Sequence, residues 1–378
     1  MAAPKRKLKK PAKKKASRFL DLRKGKPVRH ERQTRAAGVL ALQKPETNPI
    51  IEPEETSHWE SKATFNPSVL YGDGKIHLIY RAIGDNDVSM IGYARSSDGI
   101  TIDYRSKNPV FFPNWPVVDK NQPQVSYLSG GGGGGGTEDP RLTRIGDTVY
   151  MLYTAFDGWG SIRIALTSIS FEDFVNERWH WTKPVFISPP GEINKNWVLF
   201  PEKINGRYAI LHGITPHILI DYVDDLNKFD GTRFIHSMHP EGGREDFWDT
   251  SVRGVGPAPI KTKYGWLVLY HAMDISDPNR YKLGAMLLDL KEPTKIVARS
   301  PQPILEPDEL YENQGFKSGV VYACGAAVAD GWLFVYYGGA DKVVCVAAAE
   351  LDPFLRELIA TGLPRLSRKR LAINHRKI

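Results

Sequence analysis

Residues 265–274 read GWLVLYHAMD and residues 282–290 read KLGAMLLDL, so an apolar strand that opens on a glycine is soon followed by a second apolar strand. The same arrangement occurs four more times, opening at Gly74, Gly146, Gly206 and Gly331. Successive openings lie 72, 60, 59 and 66 residues apart, which suits four-stranded units with long loops. Repeated hairpins without intervening helices are typical of β-propellers. The sequence therefore predicts an all-β fold, a five-bladed β-propeller.

Polar residues end the first strand of each repeat, and in a propeller they would gather at one end of the central channel. These residues are Arg81, Asp157, His212, His271 and Asp341. A single one would most often be structural, but five at equivalent places predict a polar pocket. Two cationic residues, Arg163 and Lys203, lie in otherwise apolar segments and are further candidates for this pocket.

The net charge of +8 is unevenly distributed along the chain. Residues 1–36 carry 15 Lys and Arg against two acids, and residues 365–378 carry six without an acid, so residues 37–364 are acidic overall. We predict a disordered Lys/Arg-rich tail over 1–36, a catalytic propeller domain over 37–364 and a basic tail over 365–378. Two interpretations of the tails stay open, weak contact with nucleic acid or anionic surfaces, and simple solvation.

Neither a membrane nor an oxidising compartment is indicated. No apolar run approaches the ~18 residues of a spanning helix, and the lysine-rich start lacks the apolar core of a secretory signal. The two cysteines, Cys324 and Cys345, are expected to be buried free thiols. These features predict a cytoplasmic protein, whose oligomeric state stays open.

The most unusual segment is a run of seven glycines, 130–136, which leads into Thr137 and the tetrapeptide Glu138-Asp139-Pro140-Arg141. Glycines allow close backbone approach, so the run is either a lid over a ligand or a surface loop. Pro140 restricts Asp139 and favours an extended conformation there. An acid in this position suits a general acid, whereas the alternative is an ion pair that braces a turn.

Aromatic residues near these polar groups suit a sugar, which has apolar ring faces and directional hydroxyls. They are Trp159, Trp197, Trp248 and Tyr281. The ten histidines show no spacing that requires a metal, so we expect no metal and no organic cofactor.

Several long motifs of the chain resemble those of a known protein family. NPSVLY, SMIGYARSSDG, EDPRLTRIGDTVYMLYTAFDG, LFPEKINGRYAILH, GWLVLYHAMD and VYYGGAD occur in the order found in glycoside hydrolase family 130, which they resemble over roughly residues 45–355. That family contains inverting β-mannoside phosphorylases and related β-mannosidases on a five-bladed propeller. The resemblance implies phosphorolysis of β-1,4- or β-1,2-linked mannosides with inorganic phosphate as co-substrate, which would release α-mannose 1-phosphate.

The resemblance also implies roles for individual residues. Asp139 falls on the catalytic acid, and Arg163 and Lys203 fall on phosphate-binding positions. Positions that hold the mannose of the non-reducing end correspond to Asn66, Arg81 and Asp341. We include further substrate candidates: Glu138, Arg141, Asp249, His271 and Tyr281.

Two alternatives to a phosphorylase stay open. Many phosphorylases of the family carry an arginine soon after the histidine of the third repeat, where this chain reads LHGITPH. An inverting β-mannosidase would use water instead of phosphate, with Glu202 or Glu245 as the base. A propeller that binds glycans without catalysis is the other alternative, and the intact Glu138-Asp139-Pro140-Arg141 motif argues against it.

Overall fold

The strand that begins at Gly265 forms as the sequence predicts, because β14 spans Gly265–Asp274 and pairs antiparallel with β15, Asp277–Leu288. The computed structural model describes residues 40–112, 134–158, 161–238 and 242–362. Within these ranges the chain is all-β with few helices, and its strands form five successive groups, called units below, within which neighbouring strands pair antiparallel. One parallel bridge, between Ser89 and Gly136, joins units 1 and 2 into a single eight-stranded sheet. The basic tails predicted over 1–36 and 365–378 lie outside the described residues, as does Trp159.

The units follow one another in chain order. Unit 1 comprises β1 (Ala63–Gly72), β2 (Lys75–Ile83), β3 (Ser89–Ser96) and β4 (Tyr104–Arg105). Unit 2 comprises β5 (Gly136–Ile145), β6 (Thr148–Phe156), β7 (Ile162–Ser170) and β8 (Val185–Phe186), with the short helix α1 (Phe171–Val175) after β7. Unit 3 comprises β9 (Val198–Leu199), β10 (Tyr208–Gly213) and β11 (Leu219–Val223).

Unit 4 comprises β12 (Ser251–Val255), β13 (Ile260–Thr262), β14, β15 and β16 (Ile296–Arg299). Unit 5 comprises β17 (Val321–Ala329), β18 (Trp332–Gly339) and β19 (Val343–Glu350), and helix α2 (Leu351–Thr361) follows it. Short 3-10 helices span Leu226–Lys228 and Leu310–Glu312. Among the described residues no helix is long and apolar enough to cross a membrane.

Each unit shares a hydrophobic core with the next unit, and unit 5 shares one with unit 1. The residues of a strand point alternately to its two faces, so neighbouring residues serve different cores. In β9, for example, Val198 packs towards unit 4 and Leu199 towards unit 2. The core between units 5 and 1 joins Leu78 to Phe334. The five cores thus link the units in cyclic order.

The first strands of units 1 to 4 also contact one another in chain order. The Leu142 N–H of β5 donates to Ser68 Oγ of β1 at 2.8 Å, and Thr143 Oγ1 donates to the Leu199 carbonyl of β9 at 3.3 Å. Ahead of β9, Asn196 Nδ2 donates to the Arg253 carbonyl of β12 at 2.8 Å. These contacts place the first strands around a common space.

Residues near the start of the described chain pair with the last strand. Gln43 and Ala348 exchange backbone hydrogen bonds at 2.8 Å, and Ile51 forms a bridge with Val344. The segment ahead of β1 therefore adds to the outer edge of unit 5. Both cysteines are free and buried, as predicted.

The polar residues predicted to lie at equivalent places in the five units do not all do so. A buried tyrosine lies in the middle strand of four units, and the residue after it marks the equivalent place: Arg81, Thr154, His271 and Tyr337. His212 follows Leu211 in unit 3. Asp157 and Asp341 lie beyond the ends of β6 and β18, because those strands extend further than the apolar run suggested.

Candidate active site

Asp139 lies at a bulge in β5. The pairing with β6 shifts register between Glu138 and Arg141, and Asp139 takes a φ of 49°. The extended conformation predicted for Asp139 is therefore wrong, because the bulge turns this residue into the left-handed region, which Asp and Asn tolerate better than most residues. Asn66 has the same position in β1, with a φ of 48° and a proline after it.

The two bulges bring Asn66 and Asp139 into contact. Asn66 Nδ2 donates to Asp139 Oδ1 at 2.8 Å, and both side chains are buried. The Asn66 Oδ1 atom is buried and has no hydrogen-bond partner among the described residues. The pair therefore presents a carboxylate together with an unused acceptor, as a ligand rich in hydroxyl donors would require.

Arg81 joins this pair to Glu138. Its guanidinium donates to Glu138 Oε1 at 2.6 Å and reaches Asp139 Oδ1 at 3.5 Å, while its Nε donates to Ser89 Oγ at 2.9 Å. Glu138 Oε2 is buried without a hydrogen-bond partner in the described part of the chain. One arginine thus serves two adjacent buried carboxyl groups, and one carboxyl oxygen is left for a ligand.

Burial and charge act differently on these two carboxyl groups. Burial raises the pKa of Glu138 and outweighs the opposing effect of Arg81. Burial also acts to raise the pKa of Asp139, but Arg81, Arg141, the Asn66 hydrogen bond and Lys195 together lower it below its usual value. Asp139 is consequently an anion at neutral pH in the unliganded protein.

Arg141 braces the bulge from within the protein. Its Nε donates to the Gly256 carbonyl at 3.0 Å, and its guanidinium donates to the Asp139 carbonyl at 3.0 Å and to Asn196 Oδ1 at 2.8 Å. Tyr322 also donates to Asn196 Oδ1. Arg141 contacts protein oxygens on β5 and around β12 and β17. It therefore holds the backbone of Asp139 in place.

His271 lies in a layer of aromatic rings beside this cluster. Its ring stacks on Tyr322 with centroids 4.0 Å apart and planes 2° apart, and its Nε2 accepts from the Ala323 N–H at 2.9 Å. Burial, followed by repulsion from Arg141, lowers the pKa of His271 to about 3. The ring is therefore neutral with its proton on Nδ1, and this buried nitrogen has no partner among the described residues.

Asp341 and Tyr281 complete the same end of the molecule. Burial raises the pKa of Asp341 to about 6, against the lowering effect of Lys317 and Arg81, and the negative charges of Asp139 and Glu138 add to the rise. The Tyr281 ring lies 4.1 Å from Lys317 Nζ and 5.6 Å from the Arg253 guanidinium. Two exposed cations, Lys317 and Arg253, therefore lie beside Tyr281, and Lys317 also acts electrostatically on Asp341.

Cationic groups also lie on the side of units 2 and 3. Arg163 donates to the Ser188 carbonyl at 3.0 and 2.7 Å, and its guanidinium stacks 4.0 Å from the centre of the Phe186 ring. The Asn194 N–H donates to the Ile162 carbonyl at 3.0 Å, which brings the half-buried Lys195 beside the start of β7. Lys195 was missed in the sequence because it lies in an irregular segment without a motif.

Lys203 and Glu202, two residues of unit 3 that were predicted to belong to the site, lie away from the cluster around Asp139. Lys203 follows β9 near the hairpin turn closed by Ile204 and Arg207, and its Nζ lies 4.4 Å from the Tyr208 ring. Glu202 binds Lys261 at 2.6 Å. Both lie at the turn end of unit 3, whereas Asn196, at the other end of β9, contacts Arg141. The structure therefore does not bring Lys203 or Glu202 to Asp139.

Asp249 belongs to a separate buried network. Its carboxylate binds Arg244 at 2.8 Å and Arg299 at 2.7 Å, and it accepts from the Tyr270 hydroxyl at 2.8 Å. Trp248 stacks on Tyr270, with ring centroids 6.1 Å apart, and Trp197 is fully buried. These residues therefore support the fold beneath the surface. Glu245 lies on an exposed loop of unit 4.

The last glycines of the run satisfy a packing requirement. A Cβ at Gly136 would lie 2.3 Å from the Ser89 carbonyl oxygen, and one at Gly135 would lie 2.8 Å from the Phe156 carbonyl oxygen. Both glycines have positive φ, and the Gly135 carbonyl accepts from the Ser89 N–H at 2.8 Å. Glycine is needed here because β5 starts between two neighbouring strands. No group of three metal-binding side chains occurs in the described residues.

An all-β chain that gathers a carboxylate, an amide and an arginine where its first strands meet is compatible with the class of carbohydrate-active proteins. Residues 41–358 match the profile of glycoside hydrolase family 130, described as beta-1,4-mannooligosaccharide phosphorylase. The chain belongs to this family, which confirms the relationship seen in its motifs.

Named relatives support the assignment along nearly their whole length. The chain is 39% identical over 323 residues to a 1,2-beta-oligomannan phosphorylase of Thermoanaerobacter sp. strain X514, which covers 83% of this chain and 98% of the relative. It is 30% identical to a beta-1,4-mannooligosaccharide phosphorylase of Ruminococcus albus, covering 81% and 88%. The solved beta-1,2-mannobiose phosphorylase of Listeria innocua, in complex with beta-1,2-mannobiose, superposes with a TM-score of 0.64 at 27% identity, covering 84% and 99%.

Proposed function

We propose that this protein is an inverting phosphorylase that cleaves β-linked mannosides with inorganic phosphate and releases α-mannose 1-phosphate. The carrying observation is the contact between Asn66 and Asp139 beside Arg81, in a chain whose relatives are named mannoside phosphorylases. The cyclic order of cores and first-strand contacts supports a five-bladed β-propeller, within a catalytic domain spanning roughly residues 37–364. Its channel would hold the mannose of the non-reducing end.

In this proposal each group at the site has one role. Asp139 gives a proton to the glycosidic oxygen, while Asn66, Arg81 and Asp341 hold the mannose hydroxyls. Glu138 Oε2 and the Nδ1–H of His271 are further hydrogen-bonding groups for the sugar, supported by their lack of protein partners in the described residues. Arg141 positions the backbone of Asp139, and Tyr281 contributes an aromatic surface.

Phosphate needs cations, and we assign it to Arg163 and Lys195. Lys195 is supported by its electrostatic effect on both Glu138 and Asp139, whereas Lys203 lies at the turn end of unit 3. A dianion beside Asp139 would raise the pKa of its carboxyl, because like charge disfavours ionisation. Binding of phosphate would thereby help Asp139 to hold the proton that the reaction requires.

The reaction balances without any further reagent. A phosphate oxygen attacks the anomeric carbon, the bond from that carbon to the glycosidic oxygen breaks, and the leaving oxygen takes the proton of Asp139. Attack from the face opposite the leaving group inverts the configuration, giving the α-phosphate from a β-mannoside. The proton lost by Asp139 is replaced from solvent or from the next monoprotonated phosphate.

One observation favours hydrolysis as a second candidate. Gly213 follows His212 where many phosphorylases of the family carry an arginine nearby, and Lys203 is not at the cluster. With fewer cations, water could replace phosphate as the attacking group. Glu202 lies with Lys203 at the turn end of unit 3, so Glu245 would be the remaining base of the two named from the sequence.

The deciding experiment supplies β-1,2- and β-1,4-mannobiose to the purified protein with and without phosphate and resolves the sugar products. We expect mannose 1-phosphate only when phosphate is present. Free mannose at a rate indifferent to phosphate would establish the hydrolase instead. Binding of mannosides without turnover in either condition would favour the non-catalytic alternative.

A further inference from the structure

A cavity of about 730 Å³ lies in unit 4, outside the cluster around Asp139. Its wall is formed by one loop, residues 245–250, together with the turn between β14 and β15 and the segment after β16. The residues that matter here are Glu245, Asp246, Phe247, Trp248, Ile275 and Gln302. This volume falls within the range of sites for small molecules, about 300–1,000 Å³.

The loop that forms this wall is held rigidly from below. Arg244 binds the Asp249 carboxylate at 2.8 Å, and its N–H donates to the Asp249 carbonyl at 3.0 Å. The Phe247 N–H in turn donates to the Arg244 carbonyl at 3.1 Å. Since Asp249 is anchored by Arg299 and Tyr270 as well, the loop is preorganised. A fixed loop loses little conformational entropy when it binds a ligand.

The lining combines apolar and carboxylate surfaces. Phe247 presents an aromatic side chain, and Ile275 is 75% exposed although it is apolar. Glu245 and Asp246 are exposed acids, and neither forms an ion pair within the part of the chain that the structure describes. Aromatic and aliphatic faces beside hydrogen-bond acceptors match the two kinds of surface that a neutral sugar offers.

The cavity lies at the same end of the fold as the active site. Thr250 of its wall leads directly into β12, and three residues later the Arg253 carbonyl accepts from Asn196, a neighbour of Arg141. On the other side, Ile275 lies four residues beyond His271. At about 3.3 Å per residue, these paths are short enough for one extended oligosaccharide to reach both places.

We propose that this cavity is a distal sugar subsite, which binds the part of a β-mannooligosaccharide that extends beyond the scissile bond. The proposal rests on the proposed function, because the non-reducing end of the same chain would lie at Asp139. It makes the preferred substrate an oligosaccharide longer than a disaccharide, because mannobiose held at Asp139 would end before the loop of residues 245–250.

The test compares Phe247→Ala and Asp246→Asn with the unaltered protein, using β-mannobiose and β-mannotetraose of the cleaved linkage. We expect kcat/KM for the tetraose to fall about tenfold, equal to ~1.4 kcal/mol of lost binding, with the value for mannobiose unchanged. Tyr71→Ala and Asp224→Asn are matched controls, because they remove an exposed aromatic and an exposed carboxylate elsewhere.

A binding measurement separates this proposal from the proposed reaction. Titration of tetraose into Asp139→Asn, with and without Phe247→Ala, reports the subsite even when no turnover occurs. Weaker tetraose binding in the double variant supports the subsite whether or not mannose 1-phosphate is ever formed. Equal losses for mannobiose and tetraose, or no loss for either, would overturn the subsite even if phosphorolysis is established.

Discussion

Asp139 and Asp249 are both buried aspartates with arginine neighbours, yet their surroundings differ in kind. Both oxygens of Asp249 have protein partners, namely Arg244, Arg299 and Tyr270. The contacts of Asp139 with Asn66 and Arg81 both fall on Oδ1. Burial alone therefore does not distinguish a structural acid from a functional one. What distinguishes them is whether both carboxylate oxygens have protein partners.

The contrast extends to the groups around each aspartate. A second network in unit 1 repeats that of Asp249: Tyr80 donates to Glu60 at 2.8 Å, and Arg105 binds Glu60 at 2.7 Å. Around Asp139, by comparison, buried polar atoms of Asn66, Glu138 and His271 have no partner among the described residues. Buried polar groups cost free energy when unpaired, so such a concentration points to a ligand.

The largest expected effect concerns Asp139, the functional aspartate of this comparison. Asp139→Asn should reduce formation of mannose 1-phosphate by about 10²–10⁴-fold, the usual contribution of a general acid. The thermal midpoint should fall less than in Asp249→Asn, because the amide fills the same space and Arg81 keeps its hydrogen bond to Glu138. Product assays on both proteins check this, and retention of more than a tenth of the activity would remove Asp139 from the acid role.

Asp249, the structural aspartate, should respond in the opposite way, with a loss of stability and little change in activity. Asp249→Asn leaves Arg244 and Arg299 buried without their shared counter-charge, which typically destabilises a protein by about 3–5 kcal/mol. Activity per folded molecule should change little. Denaturant unfolding measures the loss, with Asp224→Asn as an exposed control. Full stability combined with lost turnover would mean that Asp249 belongs to the active site after all.

A third comparison is between two lysines of neighbouring segments. Lys195→Gln should raise the KM for phosphate about tenfold, because one charge-assisted contact contributes ~1.5–3 kcal/mol. Lys203→Gln should leave that KM within about twofold. Initial rates over a range of phosphate concentrations decide between them. The reverse ranking would return the phosphate to Lys203, as the family resemblance suggested.

The smallest effect concerns Asp341. The pKa of its carboxyl is about 6 in the folded protein and 3.8 for the free group. Between pH 4 and pH 6 the folded protein therefore keeps a proton on Asp341 that the unfolded chain has already lost. The free energy of unfolding should therefore fall as the pH rises from 4 to 6. Asp341→Asn should remove this decline and stabilise the protein at pH 7, because the amide needs no charge to be buried. An unchanged pH dependence in unfolding experiments would contradict the assigned burial of this charge.

The sequence predicted the repeated units well, and it failed where strand registers and irregular segments decide the placement of a residue. The glycine that opens each repeat and the alternation of apolar residues are local signals, so the five units and β14 were found. Asp157 was placed with Arg81 because the end of β6 cannot be read from composition, whereas Thr154 holds the equivalent place. One or two residues of strand length are enough to change such an assignment.

Long-range contacts explain the remaining differences. Lys195 and Asn196 carry no motif, and only the packing of units 2, 3 and 4 reveals them. Asp249 was included among the substrate candidates, but its partners Arg244, Tyr270 and Arg299 come together only when unit 4 folds. Assigning a role to a charged residue requires its partners, which are distant in the chain.

The bulges of the first strands have a consequence for how this fold acquires new chemistry. Register shifts occur beside Asn66, Asp139, Arg253 and Cys324, and Asn196 precedes β9 at the corresponding place. A bulged residue is excluded from the ladder, so its side chain can be turned towards the common space while the strand pairing on either side persists. The Cys324 thiol, whose pKa burial raises to about 12, lies within the electrostatic reach of Arg141 and Asp139. The fold thus offers one such position in each of the five units, so the groups that act on a ligand can come from separate units of the same design.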